Sequence, residues 1–319
     1  MTLEDQPSQT DGLPDQRARL VVGMCTFRRN DSLRRLLDSI EVAAKRVSGD
    51  ARVGVVVVDD SPDGEARPVA EEYRERFEDG VHYDNTASGN ISRARNRVLS
   101  LAIEHADWLA MTDDDCVAPE EWLEALLATQ RATGADAVTG PRRHTVPAGA
   151  PTWIEREGFV EPLPVLEEGI VPPNGLTSNI LLSTSWLRAH EEVRFDEGLG
   201  VLGGEDNVFF GAASAAGMNL RYSRDGLILE ILEPSRLNLR WILRGEFWMG
   251  NSEAVSDLAN GIAGHPRLVA RGVKAILTSF VELARKLVAR QSRWRLFLGH
   301  IARGFGLIAG GFGIQVRHH

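Results

Sequence analysis

Three consecutive carboxylates, Asp113-Asp114-Asp115, close an apolar run that begins at Trp108 (WLAMTDDD). Ionised side by side they repel one another, and a cation relieves that repulsion. Hard oxygen ligands of this kind suit Mg2+ or Mn2+, ions that keep several waters and share the remaining positions with substrate phosphates. A second pair, Asp59-Asp60, follows four valines and precedes Ser61. Carboxylates there can accept from a nucleobase N–H or a ribose hydroxyl. A third polar cluster, Thr26–Asn30, ends the first apolar run. The two aspartate clusters also have a plain reading. Asp-Asp-Ser-Pro-Asp-Gly is good turn chemistry, and an Asp run before Pro119 can cap a helix. Alone, the DDD run serves either purpose equally. With three clusters at the ends of three apolar runs, the cation reading prevails.

Strands must carry those ends. Arg19–Cys25 and Val53–Val58 read as strands, the latter covered on both faces because it is almost all valine. Val81–Tyr83, Trp108–Thr112 and Ala137–Thr139 are further short strands. Between them, Leu33, Leu36, Leu37, Ile40 and Ala44 recur at helical spacing after an Asn30 or Asp31 cap. Helices are expected again over Pro68–Phe77, Ser92–His105 and Trp122–Thr133. Such alternation predicts βαβ crossovers and a mostly parallel sheet, in which ligands bind beyond the carboxyl ends of the strands. Pro147–Pro173, rich in Pro, Glu and Gly, reads as an irregular and mobile connection.

Composition narrows the class. The chain has 319 residues, about two domains' worth at ~150 residues each. With 43% hydrophobic and 25% charged residues, it is neither disordered throughout nor a polytopic membrane protein. Two cysteines, Cys25 and Cys116, exclude a disulfide scaffold, and no zinc-like or nucleophile-like spacing of His and Cys occurs. The first strand is not followed by GxGxxG, and no Gly-Lys-Ser/Thr loop exists, which disfavours dinucleotide and phosphate-loop sites. Residues 1–18 read as a disordered leader and not as a secretory signal, so the cytoplasm is the expected compartment. The two terminal histidines are set aside as a tag remnant.

The ordered set VGMCTFRRNDSLRRLLDSI, VVVVDDS, GNISRARNRVL, WLAMTDDDCVAPEEWLEAL, SNILLS and FDEGLGVLGGEDNVFFGAASAAG resembles the inverting family 2 glycosyltransferases of GT-A fold, over roughly Leu20 to Gly217. The stretches LNLRWILRGEFWMGNS and GFGLIAGGFG resemble bacterial members that build polysaccharides or lipid-linked glycans. The resemblance implies an α/β fold with a Rossmann-like, mostly parallel central sheet flanked by helices, and a C-terminal helical extension. It implies a catalytic domain over 19–235, with a nucleotide-binding half at about 19–140 and an acceptor half at about 141–235, followed by a basic helical region over 236–319. It places Thr26, Arg28, Asp59, Asp60, Arg93, Asn96, Asp113 and Asp114 around the nucleotide. Asp113 and Asp115 form a D-x-D motif for Mn2+ or Mg2+, with Asp115 the closer ligand. Glu205-Asp206 matches the catalytic ED pair, Asp206 being the general base. Asn179 falls at a backbone-positioning Asn, a simple turn role being equally open. One departure is the apolar stretch after Asp206, Asn207-Val208-Phe209-Phe210-Gly211, where relatives carry a more polar helix with an arginine; this bears on acceptor contacts.

The implied reaction moves a sugar from a nucleoside-diphosphate sugar, with uridine the commonest base, to a glycan, lipid-linked, small-molecule or peptide acceptor. Two other classes compete. A sugar-1-phosphate nucleotidyltransferase would want a glycine-rich loop after the first strand, but here the loop is Thr-Phe-Arg-Arg-Asn. A non-catalytic nucleotide- or carbohydrate-binding relative would not need both the D-x-D carboxylates and the ED pair.

Charge is distributed unevenly. From Pro266 onward ten basic residues face one acid, Glu282, so the net charge of −9 combines a +9 tail with an acidic body. An acidic body argues against nucleic acid as a partner. A basic tail with many apolar residues suits an anionic membrane surface, which would make the protein peripheral on the inner face of the cell membrane. Arg267–Val288 reads as an amphipathic helix, with Arg267, Arg271 and Lys274 opposite an Ile276/Phe280/Leu283 stripe. Packing on the domain and membrane contact are equally open for it. Leu296–Val316 approaches the length of a membrane span, but His300, Arg303, Gln315 and six glycines favour packing or interfacial binding.

Overall fold

The computed structural model describes residues 15–160, 164–288 and 293–317. Its first part alternates as expected: β1 (Ala18–Thr26), α1 (Asn30–Arg46), β2 (Ala51–Asp59), α2 (Arg67–Glu72), β3 (Val81–Asn85), α3 (Ile91–His105), β4 (Trp108–Thr112), β5 (Cys116–Val117), α4 (Trp122–Thr133) and β6 (Ala137–Thr139). The middle holds β7 (Arg142–Thr145), α5 (Trp153–Arg156), β8 (Asn179–Ser183), α6 (Thr184–Ala189), α7 (Glu205–Ala215), β9 (Leu220–Tyr222) and β10 (Ile228–Ile231). Three long helices end the chain: α8 (Leu239–Ala259), α9 (His265–Val288) and α10 (Trp294–Gly311).

The main sheet has seven strands in the order β3-β2-β1-β4-β8-β6-β9. Every pairing is parallel except those of β8, which runs antiparallel to both β4 and β6. This is the expected mostly parallel α/β sheet, and it explains the valine run. Val55 and Val57 enter the core under α1, α2 and α4, while Val56 and Val58 enter the opposite core under α3 and α7. Each such side chain, once buried, contributes about 1.5 kcal/mol or more. A three-stranded sheet, β5-β10-β7, is added beyond the tip of β4. Its strands have only two to four residues, and β7 (RRHT) is wholly polar, so no apolar alternation in the sequence marks them.

Asn179 is fully buried and acts by positioning backbone. Its amide nitrogen donates to the Pro141 and Gly226 carbonyls at 2.9 and 2.7 Å, and its oxygen accepts from Trp122 Nε1 at 2.8 Å. Two expected elements differ. The helix over Pro68–Phe77 stops at Glu72, and Arg74–Arg76 tightens into a 3-10 turn. The connection 147–173 contains the short helix α5, and Glu157, wholly buried, accepts from Arg295 Nη1 at 2.5 Å and from its backbone N–H at 2.9 Å, tying this segment to the start of α10. Residues 1–14, most of the expected leader, and the terminal histidines lie outside the described residues, while Arg17 pairs with Glu78.

The glycines of the last stretch serve close packing. A Cβ at Gly250 would meet the Arg303 carbonyl, and one at Gly306 would meet that of Phe247, so α8 and α10 touch backbone to backbone. Gly272 and Gly304 do the same between α9 and α10. Among the described residues no helix is long and apolar enough to cross a membrane.

Candidate active site

The strand order sets β1 between β2 and β4, so the three polar clusters emerge side by side at one carboxyl edge. Thr26 pairs in register with Asp59, and its hydroxyl donates to Asp114 Oδ2 at 2.8 Å. The two aspartates after β2 organise loops. Asp59 is wholly buried and accepts from the Ser61 and Ala66 N–H groups at 2.8 and 2.9 Å and from Tyr83 Oη at 3.0 Å. Asp60 gathers the Thr86 and Ser88 hydroxyls and the Ser88 and Asn90 N–H groups, all at 2.7 Å. These carboxylates hold the segment between β3 and α3 against the sheet edge.

The DDD run is divided among three environments. Asp114 is buried and bonded to Thr26 and to Arg29 Nη1 at 2.9 Å. Asp115 takes the same Arg29 nitrogen at 2.9 Å, and Arg236 lies 3.7 Å away. Burial, then the negative charges of Asp113, Glu230 and Asp114, push the Asp115 carboxyl up to about 7 despite Arg29. Asp113 is the open member, with a side chain 37% exposed and one 3.5 Å contact from Arg95.

Arg95 joins the two halves of the site. Its guanidinium is buried, and it reaches Asp113 from one nitrogen and Glu205 from the other, the latter at 2.5 Å. Burial opposes its charge, but the neighbouring carboxylates of Asp113 and Glu205 raise its pKa regardless. Burial in turn raises Glu205, against the pull of Arg95. The D-x-D run and the ED pair thus share one guanidinium, which brings them together at the carboxyl edge of the sheet.

The ED pair opens α7 through a tight approach. Gly203 and Gly204 both have φ of +84°, a region L side chains avoid, and a Cβ at Gly203 would collide with the Trp248 ring on α8. The sharp turn leaves Glu205 buried and Asp206 half-buried in the first turn, where a helix N-terminus favours an anion. Asp206 Oδ1 accepts the Asn207 N–H at 2.8 Å.

Other expected residues fall elsewhere. Arg28 adopts φ of +54°, is exposed, and pairs with Asp63 at 3.0 Å; its neighbour Arg29 is the one turned into the carboxylates. Arg93 is exposed on the first turn of α3 and pairs with Glu197 at 3.0 Å. Asn96 is engaged with the backbone: its amide nitrogen donates to the Phe195 carbonyl at 2.8 Å and its oxygen accepts the Phe195 N–H at 2.9 Å. Sequence reasoning passed over Arg29, Arg95, Glu230 and Arg236. Arg95 carried a signal, because it shares a helix face with Ile91, Val98, Leu99 and Ala102, and a charge on an apolar face demands a partner.

Residues 21–188, more than half of the chain, match the family described as Glycosyl transferase family 2. The chain belongs to that family. It is a nucleotide-sugar-dependent glycosyltransferase. The succinoglycan biosynthesis protein ExoM of Rhizobium meliloti (strain 1021) is 31% identical over 287 residues, covering 89% of this chain and 91% of the relative. Among solved structures, S. aureus TarS 1-349 in complex with UDP aligns with a TM-score of 0.54 at 16% identity, over 88% of this chain and 90% of that one. The complex of the same protein with UDP-GlcNAc gives 0.54 at 17% identity, over 76% and 70%. These likenesses show the GT-A-like fold. With the family shown, the nucleotidyltransferase and non-catalytic readings fall away.

Proposed function

We propose that this glycosyltransferase moves a sugar from a UDP-sugar to a hydroxyl of a glycan acceptor, with inversion, using Asp206 as general base and Asp113 and Asp115 as holders of Mg2+ or Mn2+. The observation that carries it is the Arg95 bridge, which sets Asp113 and Glu205-Asp206 around one cleft. The choice of UDP follows the TarS complexes, and that of a polysaccharide-type acceptor follows the name of the ExoM relative.

The donor set fits a divalent cation. Asp113 is half-buried with a single 3.5 Å contact from Arg95, and Asp115 is a buried carboxylate with Asp113, Asp114 and Glu230 near it and Arg29 on one oxygen. Among the described residues no group of three His, Cys, Asp or Glu side chains is placed to hold a metal ion by itself. Mg2+ commonly takes one or two carboxylates and completes its shell with water and substrate phosphates. When bound, such an ion would neutralise charge growing on the departing diphosphate.

The rest is the chain's own work. Arg29 holds Asp114 and Asp115 in place, while Asp59 and Asp60 fix the loops that shape the nucleotide side. Glu205, locked on Arg95, fixes the start of α7 and so the direction of Asp206. Asp206 Oδ2 would accept the acceptor hydroxyl proton as that oxygen attacks the anomeric carbon, opposite the leaving UDP. General-base assistance is worth about 10²–10⁴-fold. Asp206→Asn should therefore bind UDP with unchanged affinity by calorimetry yet lose transfer by that factor. Normal turnover by this variant would sink the assignment.

A further inference from the structure

We propose that the three-helix layer α8–α10 is a seat for an anionic lipid surface, with one apolar face laid into the membrane interface and a basic margin against the headgroups. The proposal is independent of the reaction assigned to the cleft.

The face is built by two helices that turn apolar side chains away from the protein. On α9, Val273, Leu277, Phe280, Val281, Leu287 and Val288 recur at helical spacing, and each is 44% to 87% exposed. The side of α9 that packs is a different one: Ile276 lies on Gly304, and Val269 lies on Gly311. The expected stripe of Ile276, Phe280 and Leu283 is thereby split, with Ile276 inward and Phe280 outward. Phe305 on α10 and Phe312 just after it are exposed beside an open groove of about 650 Å3 shared with Leu243 and Phe247 of α8 and with Ile314. Ile308 links the two features, since it lines the groove and also packs at Gly272 of α9. The opposite side of α10 carries His300 and Arg303, which line a polar recess with Arg271, Lys274 and Thr278 of α9. The layer therefore has an apolar side and a polar side.

Charge identifies the occupant. Arg271 turns to α8, where it pairs with Glu253 and Asp257, but Arg267, Lys274 and Arg285, the last paired with Glu282, recur seven and eleven residues apart along one edge of the apolar stripe. Arg244 lines the groove, and Arg317 lines a smaller neighbouring recess with Arg244 and Phe247. Arg244, Arg267, Lys274 and Arg317 are exposed and make no ion pair among the described residues. A helix with a broad apolar stripe and a basic edge lies in the plane of a bilayer interface. A second copy of the chain would set this basic margin against another of the same sign, and repulsion opposes that.

The test is co-sedimentation of the full chain with vesicles of phosphatidylcholine alone and of phosphatidylcholine with 30% phosphatidylglycerol. We expect the wild type to bind the anionic vesicles and leave the neutral ones. Leu277→Glu/Phe280→Glu changes two exposed side chains, so melting temperature and UDP binding should stay as in the wild type while vesicle binding is lost. Lys274→Glu should weaken binding about five-fold or more, because each basic residue near an anionic surface is worth ~1 kcal/mol. Light scattering on the vesicle-free protein covers the competing occupant. Absence of vesicle binding, equal binding to both vesicles, undiminished binding by the double variant, or a wild-type dimer that the double variant dissolves would each overturn the proposal.

Discussion

The cleft and the C-terminal helical layer handle charge in opposite ways. In the cleft, Arg95 is buried and Arg29 half-buried, and each holds two carboxylates. In the helical layer, basic side chains remain outside, beside exposed leucine and phenylalanine, and glycine brings the backbones together. Burying a charge is costly unless it is fully paired, so a buried network persists only where geometry must be held. Leaving apolar side chains in water forgoes burial, so a contiguous exposed face marks a place where something else supplies the cover. The first arrangement belongs to chemistry and the second to docking.

The sharpest way to break this contrast is Arg95→Met. It would leave Glu205 and Asp113 as unpaired carboxylates, one of them buried, and removal of one partner of such a network typically costs ~3–5 kcal/mol. Chemical denaturation should show a loss of that order. Adding Glu205→Gln to the variant should restore part of it, because the buried charge then goes too. A loss below ~1 kcal/mol would mean that water, rather than Arg95, solvates these carboxylates.

The helical layer offers the counterpart, a variant without any charge. Gly306→Ala places a methyl group against the Phe247 carbonyl, and α10 must move away from α8. Overpacking of this kind typically costs ~1–3 kcal/mol. The melting temperature should fall while the affinity for UDP stays constant, since the cleft residues lie on other elements. Reduced UDP affinity would show that the two regions are coupled, which the contrast denies.

These two variants also explain what the sequence could tell. The parallel sheet was legible because valine and leucine runs alternate with helical spacing, and the carboxylate clusters stood at strand ends where ligands bind. The small sheet β5-β10-β7 was not, because β5 has two residues and its partner lies more than a hundred positions away. Asp113, Glu205 and Asp206 were read from motifs, but the arginines that join them were not, because a motif ranks residues by type and leaves out direction. Arg28 and Arg29 are adjacent, and only the positive φ at Arg28 decides that Arg29 faces inward. In the same way, helical spacing identified an amphipathic α9, but which side packs depends on the glycines of α10 at the contact.

A smaller effect sharpens the boundary of the cleft. Arg93 is two residues from Arg95 on the same helix and so points to the opposite side; it is more than half exposed and its partner Glu197 is nearly so. Exposed pairs of this sort contribute ~0.2–1 kcal/mol at most, so Arg93→Ala should hardly move the melting temperature. Its effect on UDP affinity decides its role. A several-fold weakening that is stronger at low salt would place the guanidinium on the diphosphate, as the family resemblance implies, because an exposed charge interaction is screened as salt rises. An unchanged affinity would confine Arg93 to its surface pair with Glu197, and the cationic side of the cleft would then consist of the inward-facing Arg29, Arg95 and Arg236.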